Sequence, residues 1–280
     1  MINYYYNVSF FIATGGIFEN VIGSFDGYLL RISKRCIGKR SGVQDPSKFY
    51  CRKGFFAINC QVVCDANRKV RSLSMLSPGA VPDTLAHLKS SMHRQIETGQ
   101  LPFPFHFVGD GAYPDSDQML TPCSRRELQN DIDGWMDNYN FYLSQLRINI
   151  ECCFGMLVNK FPILQSALLT TKLSTACKTF LVCCILHNLC IDERISLHGD
   201  QEMAFPARQR YVQRSEQRTT LLSDDDDFEF ISTVDEVVAN ELLTRESNVG
   251  PQYVEDTSRT LSAKETMIRR IATLGYVRPA

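Results

Sequence analysis

Short apolar runs alternate along the chain with longer stretches of helical periodicity, a pattern of strands interleaved with helices. Asn20-Val-Ile-Gly-Ser-Phe25 passes through Asp26-Gly27 into Tyr28-Leu-Leu-Arg-Ile32, a predicted strand with an acid and a glycine partway along. Phe55 to Cys64 reads as a second strand, Asp65-Ala-Asn-Arg68 as a turn, and Lys69 to Leu76 as a third strand that closes a hairpin. Ser77-Pro-Gly-Ala-Val-Pro-Asp83 is a loop, and Asp83-Thr84 opens a helix expected to run to about Glu97. A fourth, buried strand through Val108 and its neighbouring phenylalanines ends at Asp110; Gly109-Asp110-Gly111 stops it and Pro114 prevents a return to sheet. Three early strands, a helix and a fourth strand predict an α/β fold with an antiparallel front half.

Two longer elements follow. Residues 138 to 160 form a largely apolar helix on which Asn140, Ser144, Arg147 and Glu151 recur at steps of four, three and four, a single polar stripe. Such a stripe on a mostly buried helix either faces solvent, with Arg147 and Glu151 as a weak pair, or points into a wet or charged site. Residues 175 to 191 form a second apolar helix. Within it Cys183, Cys184, His187 and Cys190 have helical spacing that suits zinc, although the surrounding residues read as core. From about Ser196 the pattern decays into a tail expected to be mostly disordered and acidic, with a short amphipathic helix near 262–273.

A chain of 280 residues is long enough for one large domain, and 44% apolar with 22% charged residues is ordinary globular composition. The net charge of −1 conceals an asymmetry. Arg31 to Lys53 holds eight basic residues against Asp45 alone, whereas Glu216 to Glu246 is acidic around Asp224-Asp225-Asp226-Asp227. A split of this kind raises the odds of a nucleic-acid partner. Eleven cysteines, an odd number with several in apolar segments, suit buried free thiols better than a disulfide framework. The apolar runs read as too short to span a bilayer, so no membrane is expected, and the N-terminus lacks a basic signal-peptide region. Residues 1–16 read as an N-terminal remnant, from a truncated gene model or a domain parted from its usual N-terminal region. The domain proper is expected over 17–195.

The chemistry concentrates on carboxylates. Asp110 sits just past a strand end between two glycines, a turn former or a ligand that others can approach closely. If the first strand runs parallel to the fourth and beside it, Asp26 falls next to Asp110, and the long helix crossing that end brings Glu151 alongside. Asp65 should lie at the far end of the sheet. Three carboxylates ~4 Å apart repel by about 4 kcal/mol per pair at an effective dielectric of ~20, so such a cluster takes up protons or a cation. Oxygen ligands alone favour Mg²⁺ or Mn²⁺. Two such ions can activate a water or 3′-hydroxyl and stabilise the leaving oxygen of a phosphodiester.

Phe25-Asp26-Gly27-Tyr28, Ser77-Pro78-Gly79 through Asp83, Gly109-Asp110-Gly111-Ala112-Tyr113-Pro114, Arg147 through Glu151-Cys-Cys-Phe154-Gly155, and Leu186-His187-Asn188 occur in this order. Together, over about residues 17 to 192, they resemble the DDE endonuclease domain of PIF/Harbinger-type transposases and the host proteins derived from them. The resemblance implies an RNase H-like mixed sheet with helices on its faces and divalent-metal-dependent cleavage of DNA. It implies Asp26, Asp110 and Glu151 as catalytic triad and Asp83 as an additional metal-binding acid. Family members usually carry His before that aspartate, where this chain has Pro82. The usual N-terminal helical DNA-binding region is expected to be missing, and a separate Myb/SANT-like partner to supply DNA binding and nuclear import. A homodimer is also compatible with the family. Arg52, Lys53, Arg147 and Lys160 are candidate phosphate contacts, with a solvated basic surface as the alternative for each.

Two functions stand apart. One is a nuclear endonuclease using in-line attack on a DNA phosphodiester with no covalent protein intermediate. The other is a domesticated DNA- or protein-binding domain that keeps the fold without cutting. Hydrolysis of a small phosphoester is weaker, because it leaves the basic loop without a role.

Overall fold

The computed structural model describes residues 17–38, 40–41, 43–101, 104–198, 228–229 and 261–278. Its centre is a strand of eight consecutive buried residues, β3 (Ala57–Cys64), covered on both sheet faces. β1 (Val21–Arg31) and β4 (Val70–Pro78) flank it, both antiparallel. β5 (His106–Val108) lies parallel to β1 on its other side, and β6 (Met119–Leu120) parallel to β5. The order β4-β3-β1-β5-β6, antiparallel in its first three strands, is an RNase H-like mixed sheet, as predicted. The dipeptide Arg40–Ser41 (β2) pairs separately with Phe228–Glu229 (β7).

The hairpin turn between β3 and β4 is set by local chemistry. Arg68 takes a left-handed conformation (φ 65°), and the Asp65 carboxylate accepts the Lys69 N–H at 3.0 Å. The same carboxylate pairs with Arg71 at 2.6 Å. Asp65 is thus structural and lies beyond the Cys64–Ser24 pairing, at the opposite end of β1 from Arg31.

Helices pack on both faces. The expected single helix over 83–97 is two: α1 (Asp83–Leu88) and α2 (Ser91–Glu97). The Ser90 hydroxyl accepts the His93 N–H and starts the second helix as an N-cap, a signal that the continuous periodicity masked. α3 (Arg125–Leu128) is a single turn closed by a Ser124/Glu127 capping box, and with β6 it escaped the sequence pattern because both are so short. α4 (Trp135–Lys160) begins three residues earlier than the apolar run suggested, after Gly134 turns the chain at φ 73°. α5 (Leu173–His198) outruns its predicted bounds at both ends. Its stretch Leu173–Arg194 is long and apolar enough to cross a membrane by composition. On it Ala176, Phe180, Cys184, His187 and Ile191 are buried, while Val182, Leu186 and Leu189 are about half exposed.

α4 and α5 cover one sheet face through Leu30, Val62, Ile150, Cys153, Phe154, Leu157 and Phe180. The other face is closed over Phe25, Val63, Phe107 and Tyr113. A third cluster contains α6 (Ala263–Leu274), which buries Ala263, Met267 and Ile271 with Ile17, Phe18, Val108 and Leu143. Its capping box (Ser262/Glu265) and left-handed Gly275 fix both ends. The nearly buried Lys264 reaches Asp115 at 3.6 Å and Glu127 at 3.4 Å. The amphipathic helix expected near 262–273 is therefore a core element. Of the expected acidic tail, 199–227, 230–260 and 279–280 lie outside the described residues, as does the N-terminal stretch 1–16.

Ile271 is fully buried and Leu274 is half exposed. Ile271→Ala is expected to cost about 2–4 kcal/mol of unfolding free energy, whereas Leu274→Ala should stay within about 0.5 kcal/mol. Urea unfolding of the two variants checks this; equal effects would place α6 outside the cooperative fold.

Candidate active site

Side chains on β1 alternate between the two sheet faces. On the α4 side, the Ser24 hydroxyl donates to the Leu146 carbonyl at 2.8 Å, and the Tyr28 ring packs 5.1 Å from Phe154. Helix and strand thus run alongside each other, 146 level with 24 and 154 level with 28. Asp26, midway, lies level with the turn that carries Arg147 and Glu151. The parallel pairing of Ser24 with Val108, carried two residues further on both chains, sets Asp110 beside Asp26.

Asp110 forms the turn that its flanking glycines suggested, for its Oδ1 accepts the Ala112 N–H at 2.8 Å. That bond uses one oxygen and leaves the other for a ligand, so turn former and ligand are compatible roles. Asp26 is held likewise by the neighbouring Gly27 N–H at 2.8 Å.

Asp83 arrives from the opposite face, through a gap left by glycine. A Cβ built on Gly27 would lie 2.2 Å from Asp83 Oδ1, so only a residue without a side chain lets this carboxylate reach the sheet. Two amides of β3 receive it. Asn59 Nδ2 donates to Asp83 Oδ1 at 2.9 Å and to the Val81 carbonyl at 3.0 Å, and Gln61 Nε2 lies 3.3 Å from the same Oδ1. Gln61 Nε2 also donates to Asn59 Oδ1 at 2.8 Å, and the Tyr113 hydroxyl donates to Gln61 Oε1 at 2.9 Å. The Thr84 hydroxyl donates to the Ala112 carbonyl, which ties α1 to the Asp110 turn. Pro82 is exposed and gives α1 no side-chain cap, so Asp83 is positioned from the sheet side and not by the residue before it.

The electrostatics follow from this crowding. Burial pushes the Asp26 carboxyl up to about 6, and the Asp110 and Asp83 carboxylates add to the rise; the Gly27 N–H and the Arg147 guanidinium oppose it. Burial and the same three carboxylates drive the Tyr113 phenol far above its ordinary value, so it stays a hydrogen-bond donor. Nearby His87 packs edge-on against Phe25 at 4.9 Å and Tyr113 at 5.5 Å. Burial, and then His93, lower it to about 4, leaving the ring neutral.

The structure brings Asp26, Asp83 and Asp110 into one field. Glu151 stands at the right level on α4, but its side chain is exposed. Among the described residues no three His, Cys, Asp or Glu side chains close a cage as they stand. The three inner acids nonetheless fit a hard cation: they are oxygen donors that repel one another, and one is held part-protonated. Arg147 is half-buried, with its Nε buried and unpartnered. Arg52 and Lys53 are exposed in the turn before β3, and Lys160 is exposed at the end of α4.

Sequence reasoning passed over Asn59, Gln61 and Tyr113. The two amides were visible as polar residues alternating inside the apolar run Ala57-Ile-Asn-Cys-Gln-Val-Val-Cys64. Leu186-His187-Asn188, by contrast, proves to be structural. His187 Nε2 bonds the Arg68 carbonyl at 2.8 Å, and the Asn188 amide spans the N–H and carbonyl of Val70, each at 2.8 Å. His187 is thus committed to the hairpin turn and Cys190 is exposed, so the zinc arrangement is not formed.

Comparison with known proteins agrees with this reading. A family model described as DDE superfamily endonuclease matches residues 25–188. The mouse (Mus musculus) protein named "Putative nuclease HARBI1" is 29% identical over 143 residues, which cover 50% of this chain and 39% of the relative. The human (Homo sapiens) protein of the same name is 26% identical over the same shares. The match thus spans about two fifths of the length of these relatives. No solved structure matches. With the family model covering more than half the chain, the chain belongs to the DDE superfamily endonucleases.

Proposed function

We propose that the chain is a divalent-metal-dependent endonuclease that hydrolyses DNA phosphodiesters in the nucleus. The observation that supports this is the β1–β5 register, which continued two residues runs Asp26 level with Asp110, with the Asp83 carboxylate lying against Gly27. Asp26, Asp83 and Asp110 would hold Mg²⁺ or Mn²⁺, with Glu151 completing the set by turning inward from α4. The bound cations supply Lewis acidity toward the scissile phosphate and acidity to the attacking water.

The remaining work falls to the chain's own residues. Asp26 gives up its proton as pH rises through about 6, which readies the site for a cation. Arg147 offsets the carboxylate charge and presents a guanidinium at the level of the acids, suited to a phosphate oxygen. Arg52 and Lys53 lie beyond the Arg31 end of β1, about 17 Å along the strand from Asp26. There they suit the backbone of a duplex flanking the cleaved bond. The exposure of Glu151 favours a second reading, a transposase-derived domain that binds DNA without cutting it.

Nicking of supercoiled plasmid in Mg²⁺ separates the two. The wild type is expected to nick, and Asp110→Asn to fall about a hundredfold or more, the scale lost with one electrostatic group aimed at a transition state. Activity that survives the substitution removes the enzyme reading. Asp26→Asn carries a separate signature in stability. The folded Asp26 carboxyl titrates near 6 against 3.8 for the free group, so its contribution is full below pH 3.8 and lost as pH rises through 6. The rise corresponds to on the order of 3 kcal/mol at neutral pH. In EDTA at pH 7.5 the asparagine variant should therefore melt higher than wild type, and the gain should vanish below about pH 4. Added Mg²⁺ should raise the melting point of the wild type and leave that of the variant in place.

A further inference from the structure

The carboxylate of Asp83 is gripped by a buried hydrogen-bonded chain that also reaches the Asp110 turn. Asn59 and Gln61 both donate to Oδ1, at 2.9 and 3.3 Å, and this leaves the second oxygen for a ligand. Gln61 is itself fixed, giving one hydrogen to Asn59 Oδ1 and receiving the Tyr113 hydroxyl on Oε1. Asn59, Gln61 and Tyr113 are all nearly inaccessible to water. Tyr113 in turn is wedged 5.0 Å from Phe25, the residue before Asp26, and its N–H is bonded to the Asp110 carbonyl at 3.1 Å.

We propose that Tyr113, Gln61 and Asn59 act as a positioning relay that fixes one oxygen of Asp83 toward the cation shared with Asp26 and Asp110. The proposal rests on the metal-dependent reading above and assigns residues outside the acid set to it. An amide can donate to a carboxylate without carrying charge, so it orients Asp83 without competing for the cation. A lysine at Gln61 would neutralise the ligand, and a carboxylate there would add repulsion. The relay also makes the Asp83 and Asp110 segments mechanically dependent: Tyr113 cannot move with its turn without releasing Gln61. Outer hydrogen bonds of this kind typically tune metal affinity by about 10- to 100-fold.

Titration calorimetry of the full chain with Mn²⁺ tests this independently of cleavage. Gln61→Met keeps the length of the side chain and removes its polar atoms; Tyr113→Phe deletes one oxygen. Each is expected to weaken Mn²⁺ binding by about tenfold or more, and the double variant should bind no worse than Gln61→Met alone, because the two act in series. Wild-type affinity in Tyr113→Phe, additive losses in the double variant, or no Mn²⁺ binding by the wild type would each overturn the relay. Should Gln61→Met fail to fold, Tyr113→Phe decides the question by itself. If the wild type binds Mn²⁺, the variants lose it and no DNA is cut, the relay stands and the nuclease reading falls.

Discussion

Carboxylates that share a half-buried space repel one another, and everything around the pocket is arranged to withstand that repulsion. Three acids come from three segments distant in sequence, and none is neutralised by a direct ion pair among the contacts described. The fold instead spreads the cost. Backbone N–H groups hold Asp26 and Asp110, neutral amides hold Asp83, and one guanidinium, Arg147, offsets the field from α4. The residual strain appears as a carboxyl that keeps its proton to about pH 6. A protein selected for stability alone would have filled this space with leucine.

The sheet makes the arrangement possible because parallel and antiparallel pairing meet at β1. Its antiparallel partner β3 brings Asn59 and Gln61 under one face, while its parallel partner β5 delivers Asp110 at the same level. Gly27 is where the two faces communicate, since a methyl group there would push Asp83 off its amides. α4 then runs along β1 on the remaining side, so the register of a strand and the pitch of a helix jointly decide which residues confront Asp26.

Much of this was legible in the residues, and what was not has physical reasons. The strands β1, β3, β4 and β5 and the helices α4 and α5 carry long or strongly apolar patterns that leave few alternatives. The break at Ser90 was not legible, because Ser-Ser within a continuing helical period is equally consistent with an unbroken helix. Nor were β6 and α3, which are too short to show any period. Asp26 and Asp110 could be placed together from strand logic alone, since parallel pairing fixes the register. The exposure of the Glu151 side chain could not be read, because the surroundings of a helical stripe are known only after the helix is docked. Asn59 and Gln61 were hidden by their company: in a run of apolar residues an amide reads as an imperfection, and only the arrival of Asp83 from twenty-odd residues away explains it.

The cluster around α6 joins Ile17 and Phe18 to Met267 and Ile271, so some of the earliest described residues are covered by some of the latest. Val108 and Leu120, the ends of β5 and β6 nearest the Asp110 turn, belong to the same cluster. During synthesis the strands can pair as they emerge, but the apolar cluster beside the parallel edge is closed by a segment some 250 positions later than Phe18. Contacts so distant in sequence form slowly, because the intervening loop must close before they are rewarded. The nascent chain therefore passes through an interval in which all its strands are synthesised while that cluster still lacks α6.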